Sequence, residues 1–343
     1  MNQPRPQVVL SGIRATGKLH LGNFLGALHR FAKMSEDPNL DCLFFVADMH
    51  TLTTLKEAEQ IREHLPEIVL DFLAAGIDPE HASIYTQSSV PQVAELAWYL
   101  MCLTPFGELR DMPTFKDKAE KHSEDVNAGL LNYPVLMAAD ILGPRADLVP
   151  VGKDQEAHLE LAAYLARKFN RLYGDYFPVP DAMRQDMITV PGLSAMDEEG
   201  RFPKMGKSDG NTVNLVDTPE ATTQKIMVAP TDPQRVRRHD PGNPEHCAIY
   251  RLHELEMVSS VDDLRWVMTG CKTAAIGCRD CKQRLADNVN ELLLEFRERR
   301  QELAATPHVI RDVLEAGRKR ASALFNETLD VVRERMGIGT FST

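Results

Sequence analysis

The 343-residue chain is long enough for about two domains, and its 43% hydrophobic and 26% charged residues suit a globular protein with a large core. Its formal charge of −11 counts against a uniformly basic nucleic-acid binder, although a local basic patch can still act over a Debye length of about 10 Å. There is no visible signal peptide and no apolar run near the roughly 20 residues of a membrane span, so we expect a cytoplasmic protein whose cysteines are reduced or metal-bound.

Strands and helices alternate in the first half of the chain. Short apolar segments predict buried strands at Val8–Ser11, Cys42–Ala47 and Ala82–Thr86. Apolar residues at helical spacing predict helices at Leu21–Lys33, Glu57–Ala75, Val93–Leu103, Leu130–Leu142 and Glu156–Phe169. This alternation predicts an α/β fold with a parallel sheet, whose ligand site lies at the carboxyl ends of the strands.

The pattern changes near residues 215–225, where strand signals end. Three later segments predict helices, at Val289–Arg300, His308–Glu315 and Lys319–Met336. We therefore predict an α/β domain over residues 1–217 and a helical domain over residues 218–343.

A glycine-punctuated loop, Gly12–Gly17, joins the first predicted strand to a helix that begins near His20-Leu21-Gly22-Asn23. Glycine in a first helical turn costs about 1 kcal/mol relative to alanine, and a flat ligand lying close to the helix backbone would explain it. The N-terminus of a helix also favours phosphate, and Thr16 and His20 can add hydrogen-bond donors. A tight turn with a surface histidine explains this segment alone about equally well.

A second loop, Lys204-Met205-Gly206-Lys207-Ser208, places two ammonium groups three residues apart, where they could close over a triphosphate. Taken alone, these five residues are more typical of a solvated basic surface loop. Together the two segments resemble the HIGH and KMSKS signatures of class I aminoacyl-tRNA synthetases. Asn23 stands for the final His of the first signature, as in the tryptophanyl group, whereas Gly206 departs from the usual Ser and Arg14-Ala15 from the usual Gln-Pro pair.

The segment Tyr133–Leu142 also resembles the tryptophanyl group, which implies that Asp140 accepts the indole N–H and Met137 packs on the ring. One helical turn separates these two residues, so both can face one pocket. Indole has one donor and no acceptor, which makes a carboxylate its natural partner. A buried ion-pair partner is the alternative role for Asp140.

The segment Val149–Gln155 resembles the family's PVGEDQ motif, with Lys153 in place of its Glu. The resemblance implies that Gln155 and Tyr133 hold the amino-acid end of the substrate. For tryptophan it implies contacts from Leu10, Gly12, Tyr133, Met137, Asp140, Val149, Val151 and Gln155. For ATP it implies contacts from Arg14, Ala15, Thr16, Gly22, Asn23, Gly152, Lys153, Asp154, Met187, Lys204, Met205, Gly206, Lys207 and Ser208.

Four of the six cysteines, Cys247, Cys271, Cys278 and Cys281, fall within 35 residues of the helical half. Such a set is typical of a Zn²⁺ site or a [4Fe–4S] cluster, and spacing alone does not decide between them. The surrounding sequence resembles a minority branch of bacterial tryptophanyl enzymes, which implies a [4Fe–4S] cluster near the anticodon-binding end. The first gap, Cys247 to Cys271, is one residue longer than in that branch. The neighbouring Arg235, Arg237 and Arg238 form a basic cluster suited to RNA phosphates.

The resemblance implies a Rossmann-like catalytic domain and a helical anticodon-binding domain, divided at residues 217 and 218. It implies ATP-dependent activation of L-tryptophan with Mg²⁺ and transfer to tRNA(Trp), by a homodimer that binds neither membrane nor DNA. The residues expected to act in catalysis are Thr16, His20, Lys204 and Lys207. The alternatives are a tyrosyl enzyme, a nucleotidylyltransferase that shares the first motif, and a paralogue that binds tryptophan or tRNA without charging.

Overall fold

A computed structural model describes residues 5–113, 115, 126–152, 155–183, 188–207 and 210–339. Its described strands form one parallel sheet with the order β3-β2-β1-β4-β5. The strands are β1 (Gln7–Ile13), β2 (Leu40–Val46), β3 (Ala82–Thr86), β4 (Leu148–Val149) and β5 (Asp181–Ala182). The predicted α/β class is confirmed. The sequence patterns missed β4 and β5 because two residues are too few for a periodic signal.

The first three strands end in register at one edge of the sheet. Ile13 pairs with Val46, and Val46 pairs with Thr86. The residues that follow these strands are therefore neighbours in space although they are far apart in the chain. This edge is where an open parallel sheet binds its ligands.

Alternate strand residues enter two separate cores. Phe44 and Ile84 pack in one cluster with the early helices, whereas Phe45 and Tyr85 pack in the other. Both faces of the sheet are thus covered, which explains why the strand sequences are almost continuously apolar rather than alternating.

Helices make up most of the remaining described chain, and none of those described is both long and apolar enough to cross a membrane. Those of the first half are Leu21–Asn23, a π-helical turn at Phe24–Leu28, His29–Ser35, Asp48–Thr51, Ala58–Ala74, a 3-10 turn at Gln87–Ser89, Gln92–Leu103, Phe106–Arg110, Ala128–Leu142 and Glu156–Tyr173. Those of the second half are Pro219–Val228, a 3-10 turn at Pro244–His246, Ala248–His253, Val261–Lys272, Cys278–Leu292, Leu294–Ala304 and Pro307–Met336.

Two helix predictions were wrong in their boundaries. The segment predicted as one helix, Val289–Arg300, is divided at Leu293 between two helices. The two predicted C-terminal helices are one continuous helix, Pro307–Met336, which runs through Gly317. That glycine weakens helix propensity, but a Cβ there would lie 1.9 Å from the carbonyl oxygen of Ile84, so close packing on β3 requires it.

The last helix therefore returns to the sheet of the first half. Arg320 donates to Asp41 Oδ1 at 2.6 Å and to Ser83 Oγ at 3.1 Å, and Arg333 pairs with Glu95 at 2.7 Å. The division of the chain at residues 217 and 218 stays a prediction, and the end of the chain packs against the part that carries the sheet.

Candidate active site

A cavity of about 380 Å³ opens at the carboxyl ends of β1 and β2. Its wall combines apolar side chains such as Phe45 and Ile141 with a few polar groups, the usual composition of a small-molecule site. All eight residues expected at tryptophan lie in this wall, namely Leu10, Gly12, Tyr133, Met137, Asp140, Val149, Val151 and Gln155. Their binding role stays a prediction.

Asp140 is the buried charge of this wall, with 1% of its surface exposed. Gln87 Nε2 donates to both carboxylate oxygens, at 2.9 and 2.8 Å, and His50 Nε2 lies 2.9 Å from Oδ2. Burial raises the pKa of Asp140, while the hydrogen bonds from His50 and Gln87 oppose that shift. The cavity wall thus contains a hydrogen-bond acceptor, Asp140, which is already bonded to Gln87 and His50 on the protein side.

Tyr133 and Gln155 meet through a third residue that the motifs did not indicate. The Tyr133 hydroxyl lies 2.9 Å from Nε2 of His158, and Nδ1 of that ring lies 3.0 Å from Gln155 Oε1. His158 is fully buried, near the start of the helix Glu156–Tyr173. The chain Tyr133–His158–Gln155 fixes the two groups that we expected at the amino-acid end.

The first signature begins a helix, and its own residues account for part of its composition. The Asn23 side chain accepts from the His20 N–H at 3.0 Å, so it caps this turn. A Cβ on Gly22 would lie 3.0 Å from the His20 ring, so the glycine is needed for this close packing whether or not a ligand also approaches. Burial, Lys207 and Lys204 lower the pKa of His20 to about 4, which leaves its imidazole neutral at pH 7.

The second signature lies directly on the first. Lys207 Nζ donates to Gly17 O at 2.7 Å across 190 residues of chain. Met205 is buried beside Gly22, and the Leu21 N–H donates to Val213 O at 2.8 Å. The structure therefore brings together the two segments that the sequence analysis linked only through resemblance.

Asn211 holds the second signature in shape, a role that the sequence analysis missed. Its Oδ1 accepts from the Gly206 N–H at 3.0 Å, and its Nδ2 donates to Lys204 O at 3.4 Å. The side chain is buried, whereas Lys204 is exposed. In the sequence, the available signal for this contact is an asparagine a few residues beyond a glycine-containing loop.

The environment of Lys207 is unusual for a lysine. Burial lowers its pKa to about 8, the positive charge of Arg14 acts in the same direction, and Asp71 opposes the shift. Asp71 is itself 2% exposed and accepts from Arg300 Nε at 2.7 Å. The carboxylate that acts on the charge of Lys207 is thus itself paired with an arginine from the helical half of the chain.

The other residues that were expected to contact ATP lie in different environments. Arg14 and Gly152 line the cavity that contains Asp140, and Arg14 also donates to Thr54 Oγ1. Ala15 is fully buried and its N–H donates to Thr51 Oγ1 at 2.9 Å. Four candidates lie outside the described residues, namely Lys153, Asp154, Met187 and Ser208.

The four clustered cysteines line one small cavity of about 20 Å³ in the helical half. Arg235 Nη1 lies 3.9 Å from Cys271 Sγ, and a Cβ on Gly242 would lie 2.6 Å from the same sulfur. Within the described ranges, no group of three or more His, Cys, Asp or Glu side chains is arranged to hold a metal ion. The four cysteines therefore lie close together, but their side chains are not arranged to bind a metal ion.

Comparisons with known proteins agree with this geometry. Residues 2–294 match the family model described as tRNA synthetases class I (W and Y). The chain is 42% identical to a tryptophan–tRNA ligase of Thermotoga maritima over 333 residues, covering 96% of this chain and 99% of that protein. It is 40% identical to a tryptophan–tRNA ligase of Deinococcus radiodurans over 332 residues, covering 96% and 98%.

A solved structure shares the fold over almost the whole chain. It is the tryptophanyl-tRNA synthetase of Campylobacter jejuni complexed with ADP and tryptophan. It is 30% identical with a TM-score of 0.83 and covers 96% of this chain and 100% of that one.

The pKa of Lys207 is directly measurable. After ¹³C reductive methylation, we expect its NMR signal, assigned through Lys207→Arg, to titrate with a midpoint near pH 8. The ammonium should lose its charge as the pH rises through that value. Asp71→Asn removes a negative charge and should lower the midpoint further. A midpoint at pH 10 or above would contradict this environment.

Proposed function

Since this chain belongs to the class I tRNA synthetases for tryptophan and tyrosine, we propose that the cavity at the ends of β1 and β2 binds L-tryptophan, with Asp140 as acceptor of the indole N–H. The activity is that of a tryptophan–tRNA ligase, which activates tryptophan with ATP and transfers it to the 3′-terminal adenosine of tRNA(Trp). Charging of tRNA serves protein synthesis, so we expect the protein in the cytoplasm.

The observation that carries the substrate assignment is the buried carboxylate in an apolar wall. Asp140 offers an acceptor, and Met137 and Ile141 beside it offer only apolar surface. An indole satisfies this arrangement because its nitrogen donates once and accepts nothing. A phenol could also donate, but its oxygen lone pairs would then be buried without a donor, at a cost of about 1–3 kcal/mol.

Activation requires the tryptophan carboxylate to attack the α-phosphorus of ATP. A bond forms between carboxylate oxygen and phosphorus, the bond to the bridging oxygen breaks, and pyrophosphate leaves with the extra negative charge. We assign stabilisation of that charge to Lys204 and Lys207, and a neutral hydrogen-bond donor to His20. Mg²⁺ accompanies ATP as a counter-charge on its phosphates.

Lys207 must exchange one partner for another when ATP binds. Its ammonium donates to Gly17 O in this structure, and triphosphate oxygens are stronger acceptors because they carry charge. Thr16, Gly17 and Gly22 lie around the same junction of the two signatures, which supports placing the phosphates there. Positioning and charge stabilisation then supply the catalysis, since no side chain forms a covalent intermediate.

The helical half is the proposed anticodon-binding part, and a homodimer is the proposed assembly. Arg237 and Arg238 are exposed beside the cysteine cavity and suit RNA phosphates. The large apolar side chains of Trp98 and Phe106 are more than 60% exposed on the first half. A second copy of the chain would cover such a surface.

For the four cysteines we propose a [4Fe–4S] cluster, with Zn²⁺ as the alternative for the same ligands. The donor chemistry fits both, since four thiols from three neighbouring segments line one cavity. The absent Cβ of Gly242 leaves room at Cys271, and the guanidinium of Arg235 would compensate the negative charge of a thiolate site.

Amino-acid-dependent pyrophosphate exchange tests the substrate assignment. We expect exchange with tryptophan and not with tyrosine, and a 10–100-fold loss of kcat/KM for tryptophan in Asp140→Asn, because a charged hydrogen bond becomes neutral. Asp330→Asn, at a carboxylate that is 75% exposed on the last helix, is the matched control and should behave as wild type.

Two outcomes of that assay would count against the proposal. Exchange supported by tyrosine would overturn the role of Asp140 as the indole acceptor. No exchange with either amino acid would favour a paralogue that binds without charging.

Protein purified without oxygen tests the cluster. We expect a brown protein with about four irons per chain, as a [4Fe–4S] cluster contains. Cys278→Ser should abolish the colour, while the control Cys102→Ser, at an exposed cysteine outside the cavity, should keep it. Colourless protein with one equivalent of zinc would refute the [4Fe–4S] cluster. The same four cysteines would then be the proposed ligands of zinc.

A further inference from the structure

Gln87 is fully buried at the end of β3, outside every motif singled out in the sequence. It does not itself line the cavity, but it contacts two residues that do, Asp140 and His50. Its Nε2 donates to both oxygens of Asp140, at 2.9 and 2.8 Å, and its Oε1 accepts from the backbone N–H of His50 at 3.2 Å. One amide therefore joins three elements behind the cavity.

These contacts dictate which part of Asp140 remains available. A carboxylate has about four lone-pair directions. The amide of Gln87 spans both oxygens on one side, and His50 Nε2 occupies a further direction on Oδ2 at 2.9 Å. A donor inside the cavity can then meet the carboxylate only on the side that these residues leave open.

The orientation of the amide is itself fixed. Because Oε1 accepts a backbone N–H from the helix Asp48–Thr51, the opposite end of the amide must present Nε2 to Asp140. That helix is anchored in turn, since the carboxylate of Asp48 accepts from the Ser88 N–H at 2.9 Å. The direction of the carboxylate is thus set by backbone geometry rather than by a free rotamer.

We propose that Gln87 is the positioning residue for substrate selection, holding the carboxylate of Asp140 in the one plane that accepts an indole N–H. The inference rests on the proposed contact between Asp140 and the indole. It predicts that removing the Gln87 donor weakens recognition of the N–H in particular, rather than binding in general.

The test compares tryptophan with its benzothienyl analogue, in which sulfur replaces the indole N–H. Pyrophosphate exchange gives kcat/KM for each with wild type, Gln87→Met and Gln87→Asn. Methionine matches the length of glutamine without its donor, whereas asparagine keeps an amide that is shorter. The control Gln92→Met removes a half-buried amide, far from Asp140 in the hydrogen-bond network, whose Nε2 donates to Asn326 Oδ1.

We expect wild type to prefer tryptophan strongly, because a site built around a buried hydrogen bond rejects an analogue that lacks it. Gln87→Met should lose about 10–100-fold of that preference, mostly through a higher KM for tryptophan, with the analogue changed by less than about 3-fold. Gln87→Asn should fall between, and Gln92→Met should match wild type. If Gln87→Met does not fold, the partial loss of preference in Gln87→Asn decides.

Two results would overturn the inference in distinguishable ways. An equal loss for both substrates, with the preference unchanged, would make Gln87 a purely structural residue while the role of Asp140 stands. If the wild-type enzyme did not distinguish the two substrates, the proposed contact between Asp140 and the indole would be wrong. The proposed role of Gln87 would then be wrong as well.

Discussion

A buried carboxylate is the constraint around which the cavity proposed for tryptophan is built. An ion removed from water costs several kilocalories per mole unless other groups replace its hydration, and Asp140 is almost completely buried. Its partners come from the 3-10 turn after β3 and the helix after β2. They meet only because three parallel strands end in register at one edge. The sheet topology thus makes a stable acceptor possible at that place.

The same edge organises the phosphate side. The first signature follows β1, and the second contacts it through the buried Met205 and through Lys207, while Asn211 holds the second signature in shape. Burial and two nearby lysines keep the imidazole of His20 neutral, and burial lowers the pKa of Lys207. A negatively charged ligand would favour the charged ammonium of Lys207. The site is therefore electrostatically incomplete until phosphate arrives, as expected of charge that stabilises a leaving pyrophosphate.

Long, strongly patterned features were predictable from the sequence, whereas features defined by close tertiary contact were not. The bounds of β3 were predicted to the residue, and Met137 and Asp140 do share one cavity wall. Gln87 and His158 carry no local signal, because their roles arise from atoms far along the chain. The helix Pro307–Met336 was predicted as two helices, although it runs unbroken through Gly317, which packs closely on β3. Gly22 has a reason visible only in three dimensions, the ring of His20.

The proposed recognition of tryptophan depends on the hydrogen bond from the indole N–H to Asp140. Tryptophan labelled with ¹⁵N at the indole nitrogen reports on this bond in solution, through the ¹H and ¹⁵N shifts of that one group and its exchange with solvent. We expect the bound indole proton to move downfield and to exchange slowly, and we expect both effects to be lost in Asp140→Ala under saturating tryptophan. A bound signal that resembles the free amino acid, or that survives this substitution unchanged, would contradict it.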